Sequence, residues 1–137
     1  MNPSSTDLDR FIENGARHLT PRQLAELACR LDELRETLTG FRVAGYPKIE
    51  PQLRFLAGVV EECTMQRENE LPVTAYLEAA FALLYLDREV DLIPDFVGEI
   101  GLTDDAAIAV LVLCRHVEAF ARFARDRHIP WEPIAPS

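Results

Sequence analysis

Residues 73–86 read Val-Thr-Ala-Tyr-Leu-Glu-Ala-Ala-Phe-Ala-Leu-Leu-Tyr-Leu. Alanine and leucine, both strong helix formers, dominate the stretch, and Pro72 stands where a missing N–H costs a helix nothing. Glu78 is its only charge, so the helix is apolar on nearly every face. Such a helix belongs in the middle of a structure. A second stretch, Ala106 to Cys114, is apolar throughout. Thr103 or Asp104 caps it, and past Arg115 it becomes amphipathic, with Val117, Phe120, Ala121 and Ala124 on one face. The two predict a central apolar hairpin over about 72–88 and 104–127.

Outward from this centre, every signal is helical. Asp7 to about His18 places Leu8, Phe11 and Ile12 on one face, with Gly15 weakening the second half. Thr20 followed by Pro21 is a helix start, and Leu24, Leu27, Leu31, Leu34 and Leu38 recur at steps of three and four before Gly40 ends the run. This leucine ladder lasts about two heptads, which is short for a coiled coil and points to burial within the domain. A Gly- and Pro-containing loop, 41–48, leads to a third helix opened by Pro51, with Leu53, Leu56, Ala57, Val60 and Cys63 inward and Arg54, Glu61 and Glu62 outward. No segment alternates as a strand does. The chain reads as all-α: a disordered lead over 1–6, one helical domain over 7–128 built as a bundle of about five helices, and a Pro-rich, polyproline-like tail over 129–137 that carries Trp131.

Composition narrows the partners. The 137 residues carry 14 Lys and Arg against 23 Asp and Glu, a net charge of −9. Nucleic acid and anionic lipid would be repelled, so no nucleic-acid partner is expected and membrane association is disfavoured. Cys29, Cys63 and Cys114 are odd in number and widely spaced, which reads as reduced thiols in a reducing compartment. The N-terminal residues lack a signal-peptide pattern, and the apolar runs fall short of the roughly 20 residues that span a bilayer. A cytoplasmic protein is expected.

The connection inside the hairpin carries the one motif. Tyr85-Leu86, Asp91-Leu-Ile-Pro-Asp95, Gly101 and then Asp104-Asp105 before an apolar helix resemble the hallmark of the YkvA-like family of unknown function, over about residues 76–114. Glu89 and Gly98 stand where that family's pattern has prolines, which makes this loop less stiff. The resemblance implies a fold segment and no particular reaction, and its further implication of membrane association is opposed here by charge and run length. Physically, Pro94 stops the fourth helix upstream, Asp91 can form an Asx-type turn, Gly98 and Gly101 let the chain reverse, and Asp104 and Asp105 favour a helix N-terminus. All of this describes a helix–turn–helix corner.

Seven acidic residues fall between positions 87 and 105, and a second reading follows from them. Asp91, Asp95, Asp104 and Asp105 are candidate ligands of a divalent cation, since hard cations take oxygen ligands. The spacing is not that of an EF-hand, and no metalloenzyme signature accompanies it; otherwise no cofactor is expected. Glu78 raises a separate question, because an unpaired buried carboxylate is too costly. Arg115 and His116 fall at a matching height in an antiparallel hairpin, and a buried ion pair with them is expected. The functional expectation is a non-enzymatic helical module that binds a protein partner or itself, motivated by the leucine stripe and the Trp131 tail. A metal-binding domain or metal-dependent enzyme is the alternative, and peripheral membrane association the third. Small-molecule ligands and catalytic residues are not legible.

Overall fold

A computed structural model describes residues 5–65, 70–92 and 103–136. Among these residues there are six helices: α1 (Ser5–Arg17), α2 (Pro21–Leu38), α3 (Ile49–Thr64), α4 (Val73–Leu92), α5 (Thr103–Arg115) and α6 (Val117–Asp126). No strand occurs among them, only an isolated bridge between Val43 and Tyr46. The described residues are all-helical, with one helix more than the sequence predicts. The addition arises at His116, whose backbone (φ −129°, ψ 36°) leaves the helical region and splits the expected last helix in two.

α4 is central. It packs against α1, α2, α3 and α5, and Ala75, Ala79, Ala80, Ala82, Leu83 and Leu86 are buried along its length. The all-round apolar character of 73–86 thus has a neighbour on each side to satisfy it. α2 lays its leucine ladder inward: Leu27, Leu31, Leu34 and Leu38 are buried and Leu24 packs at the margin of the core. The stripe is spent inside the domain and is not free for a partner. The start of α2 is a capping box, in which Gln23 N–H donates to Thr20 Oγ1 (3.1 Å) and Thr20 N–H to Gln23 Oε1 (2.9 Å).

Three further expectations need correction. α3 begins at Ile49, two residues ahead of Pro51; proline is tolerated anywhere in a first turn, where N–H groups have no helical partner. α4 continues to Leu92, so the backbone at Asp91 is helical and not an Asx turn. Pro94 restrains only the residue before it, leaving the helix free to reach Leu92. The tail is not an extended polyproline segment. Trp131 stands edge-on to Phe55 (5.6 Å between ring centres), Ile134 is buried, and Ile134 and Ala135 N–H groups both turn back to Trp131 O. Gln52 and Lys48 donate to tail carbonyls. Burying an isoleucine and half-burying an indole outweighs the weak preference of three prolines for extension.

Of the proposed corner, Pro94, Asp95, Gly98 and Gly101 lie outside the described residues, as do residues 1–4 of the expected lead and the side chain of Asp91, whereas Ser5 and Thr6, expected in that lead, open α1.

Candidate functional site

The α4–α5 hairpin brings Glu78 against the C-terminal end of α5. Glu78 is 3% exposed and its carboxylate is fully engaged. Oε1 accepts from Arg115 Nε (2.7 Å) and from His116 Nε2 (3.0 Å), and Oε2 accepts from Arg115 Nη2 (3.0 Å). The Arg115 fork thus grips Glu78 with two parallel bonds, the strongest geometry for this pair. The His116 ring is held edge-on to Phe120, 6.0 Å between centres. The three residues expected to meet do meet in the structure.

Two more carboxylates join them from α1. Arg115 Nη1 donates to Asp9 Oδ1 and Nη2 to Glu13 Oε1, both at 2.9 Å. Asp9 and Glu13 are four apart and share a face of α1, which was legible as spacing but had no partner to suggest its meaning. Four of the five guanidinium N–H groups are thereby used. The bonds with Glu78 push the Arg115 guanidinium further above its ordinary value, against the opposing effect of partial burial. Chemically the guanidinium takes the place that a metal ion would occupy among these carboxylates. Its proton is not available for transfer at neutral pH, so the guanidinium itself holds helices together and does not serve as an acid.

The acidic corner divides differently. Asp104 is exposed, whereas Asp105, one residue on in the first turn of α5, is 3% exposed. Successive helical residues point about 100° apart, so the two do not converge on one cation. Among the described residues no group of three His, Cys, Asp or Glu side chains could hold a metal ion. The thiols of Cys29, Cys63 and Cys114 are unbridged; Cys29 and Cys114 lie at the surface and not in the core.

A groove of about 650 Å³ opens between the end of α1, the start of α2 and the C-terminal half of α4. Leu19, Phe81, Leu84 and Tyr85 supply its apolar lining, with His18, Glu26 and Arg88 among its polar groups. His18 Nδ1–H donates to Asn14 O (2.7 Å), which leaves Nε2 as the ring's free edge. Asp87, on the same wall, is clamped by Arg30 at 2.7 and 3.0 Å. Nothing in the periodicity announced this groove, because it depends on how α1 and α2 splay from α4.

Comparison with known families places a match on this same element. Residues 75–111 match the model of a protein family described as DUF1232, a protein of unknown function. The matched segment runs from the first turn of α4 to near the end of α5 and includes Glu78, Phe81, Leu84, Tyr85 and Asp105; Arg115 and His116 follow just after it. No curated protein and no solved structure matches the chain. No described helix is long and apolar enough to cross a membrane.

Proposed function

We propose that this chain is a YkvA-like helical module that acts without catalysis, by binding a protein partner in the groove between α1, α2 and α4. The observation that carries this reading is the groove itself, which is open, lined by aromatic and aliphatic side chains, and built on its α4 wall from the family-matched segment. Its volume is within the range of about 300–1,000 Å³ typical of ligand clefts, and its lining suits one large apolar side chain of a partner with polar neighbours at the rim. The reading differs from the sequence expectation in where contact is made. The leucine stripe and Trp131 are occupied within the chain, and the proposal moves to Leu19, Phe81, Leu84 and Tyr85.

Photo-crosslinking tests this in cells. A photoreactive residue at position 84 is expected to capture a discrete heterotypic product that is lost when Leu19→Glu is added, while the protein stays folded. The same residue at exposed position 29 on α2 serves as control. Equal products from both positions would sink the proposal.

A further inference from the structure

The polar groups of the groove between α1, α2 and α4 are unevenly satisfied. Asp87 is clamped by Arg30 through both carboxylate oxygens, and Arg30 also reaches Glu33 at 3.4 Å, so these charges are spent on one another. Gln23 Oε1 is taken by the Thr20 N–H, which leaves the amide N–H groups of Gln23 as donors. His18 Nε2 accepts in the neutral ring and donates once it is protonated. Arg88 lines the groove, is exposed, and forms no ion pair or hydrogen bond among the described residues. Its five N–H donors, set in a planar fork, are the largest unused polar capacity of the described lining.

The surroundings have the same sign. Residues 17–30 and 81–88, which include most of the groove's walls, carry Arg17, Arg22, Arg30 and Arg88 against Glu26 and Asp87. The whole chain stands at −9, so this face is opposite in charge to the rest of the molecule. At physiological salt, exposed charges more than about 8 Å apart are largely screened from each other. A segment seated in the groove therefore responds to these arginines more than to distant carboxylates. Among the described lining residues Glu26 is the one carboxylate that no arginine clamps. It is exposed on α2 with Arg22 and Arg30 four residues to either side, the spacing at which helical side chains are neighbours.

We infer that the groove's occupant is an acidic segment of a partner protein, in which a large apolar side chain enters between Leu19, Phe81 and Leu84 and a carboxylate closes on Arg88. Leu84 and Arg88 are four residues apart on α4, so they share a face about 6 Å apart along the helix axis. The segment must hold its carboxylate at a similar distance from its anchor, three or four positions away in a helix or two away in an extended strand. An apolar anchor beside an arginine that grips a carboxylate is a pairing that concentrates binding energy at protein interfaces. A basic segment would set its charge against Arg88 and its neighbours, with Glu26 alone to receive it. This inference rests on reading the groove as a protein-docking site, and adds the chemistry of what docks there.

The test pans a phage-displayed library of random dodecapeptides on the purified full-length chain, with Leu19→Glu and Arg88→Glu chains in parallel, each checked for folding by circular dichroism. The wild-type chain is expected to enrich peptides with a leucine or aromatic residue and an acidic residue two to four positions from it. An enriched peptide, synthesised, should bind Arg88→Glu at least tenfold more weakly than wild type. The same peptide with its carboxylate changed to the amide should lose as much against the wild-type chain, a comparison that needs no variant protein. Changing that carboxylate to lysine should recover binding to Arg88→Glu. Arg125→Glu, at an exposed position of α6, should leave the affinity within twofold. Enriched peptides that Leu19→Glu abolishes but that are neutral or basic, or that bind Arg88→Glu as well as wild type, overturn the inference and leave the groove as a docking site. If no enriched peptide is sensitive to Leu19→Glu, the docking site itself fails and the inference with it.

Discussion

Gly15 looks like a flaw in α1 when only helix propensity is considered, since alanine there would be favoured by about 1 kcal/mol. In the folded protein a Cβ at this position would run into Phe81 Cε1 and lie 2.5 Å from Cζ. The ring cannot yield freely, because Phe11 stands against it at 5.4 Å between centres. Overpacking of this kind costs about 1–3 kcal/mol, which exceeds the propensity gain. Gly15→Ala is therefore expected to lower stability by about 1 kcal/mol in urea unfolding, and Phe81→Leu in the same chain to restore part of it, a coupling that a double-mutant cycle would read directly. His128 shows the opposite case. It follows α6 with φ 56°, while Ile129 N–H reaches Ala124 O (2.9 Å) and His128 N–H reaches Arg125 O (3.1 Å). This is a Schellman ending with a histidine in the position glycine prefers. Left-handed backbone costs a residue other than glycine about 1–2 kcal/mol. His128→Gly is thus expected to raise the melting temperature by a few degrees, read by circular dichroism.

At the scale of elements, one guanidinium ties α1, α4 and the α5–α6 junction together, and the structure ranks its bonds. Replacing Arg115 by methionine would leave Glu78 buried with His116 alone, and removing one partner of a buried pair costs about 3–5 kcal/mol. Asp9→Asn or Glu13→Gln should cost about 0–1 kcal/mol each, since these partners are solvated and screened. The combination Arg115→Met with Glu78→Leu should recover most of the loss, because an apolar pair needs no compensating charge. Denaturant midpoints of the five proteins, wild type included, would show this order; equal losses at Glu13 and Arg115 would contradict it. The pH dependence follows in sign. The folded-state pKa of Arg115 is raised, so its contribution is fully present below the ordinary guanidinium range and is lost only above it. Titration from pH 7 to 10 should leave this tether unchanged.

At the scale of the whole molecule, the legible parts are those that one helix can announce alone. The apolar 73–86, the Thr20-Pro21 start and the leucine ladder each specify a local structure and a buried face, and the fold satisfies all three. Glu78 was legible for a different reason: a lone carboxylate in an apolar helix demands a partner, and antiparallel packing left few candidates. What stayed hidden depends on contacts distant in sequence. Asp9 and Glu13 gain meaning only when α1 crosses Arg115, the groove only from the splay of α1 and α2, and the docked tail only once Phe55 offers an edge to Trp131. The acidic corner also bears a whole-molecule prediction, because its chemistry and its architecture make different demands. Asp105 is buried in the first turn of α5, where the helix dipole favours a carboxylate, while Asp104 faces water and points elsewhere. A helix-terminus role therefore predicts that Asp105→Asn melts at a lower temperature than wild type whether or not cations are present, with a loss of about 0.3–2 kcal/mol. A cation role predicts that EDTA-stripped wild type gains about 2.7 kcal/mol in magnesium, calcium, manganese or zinc at 100 times the dissociation constant, and that Asp105→Asn abolishes the gain. The divergence of Asp104 from Asp105 argues against one cation held by that pair, and superimposed melting curves of stripped wild type across the four ions are the outcome that the helix-terminus role predicts.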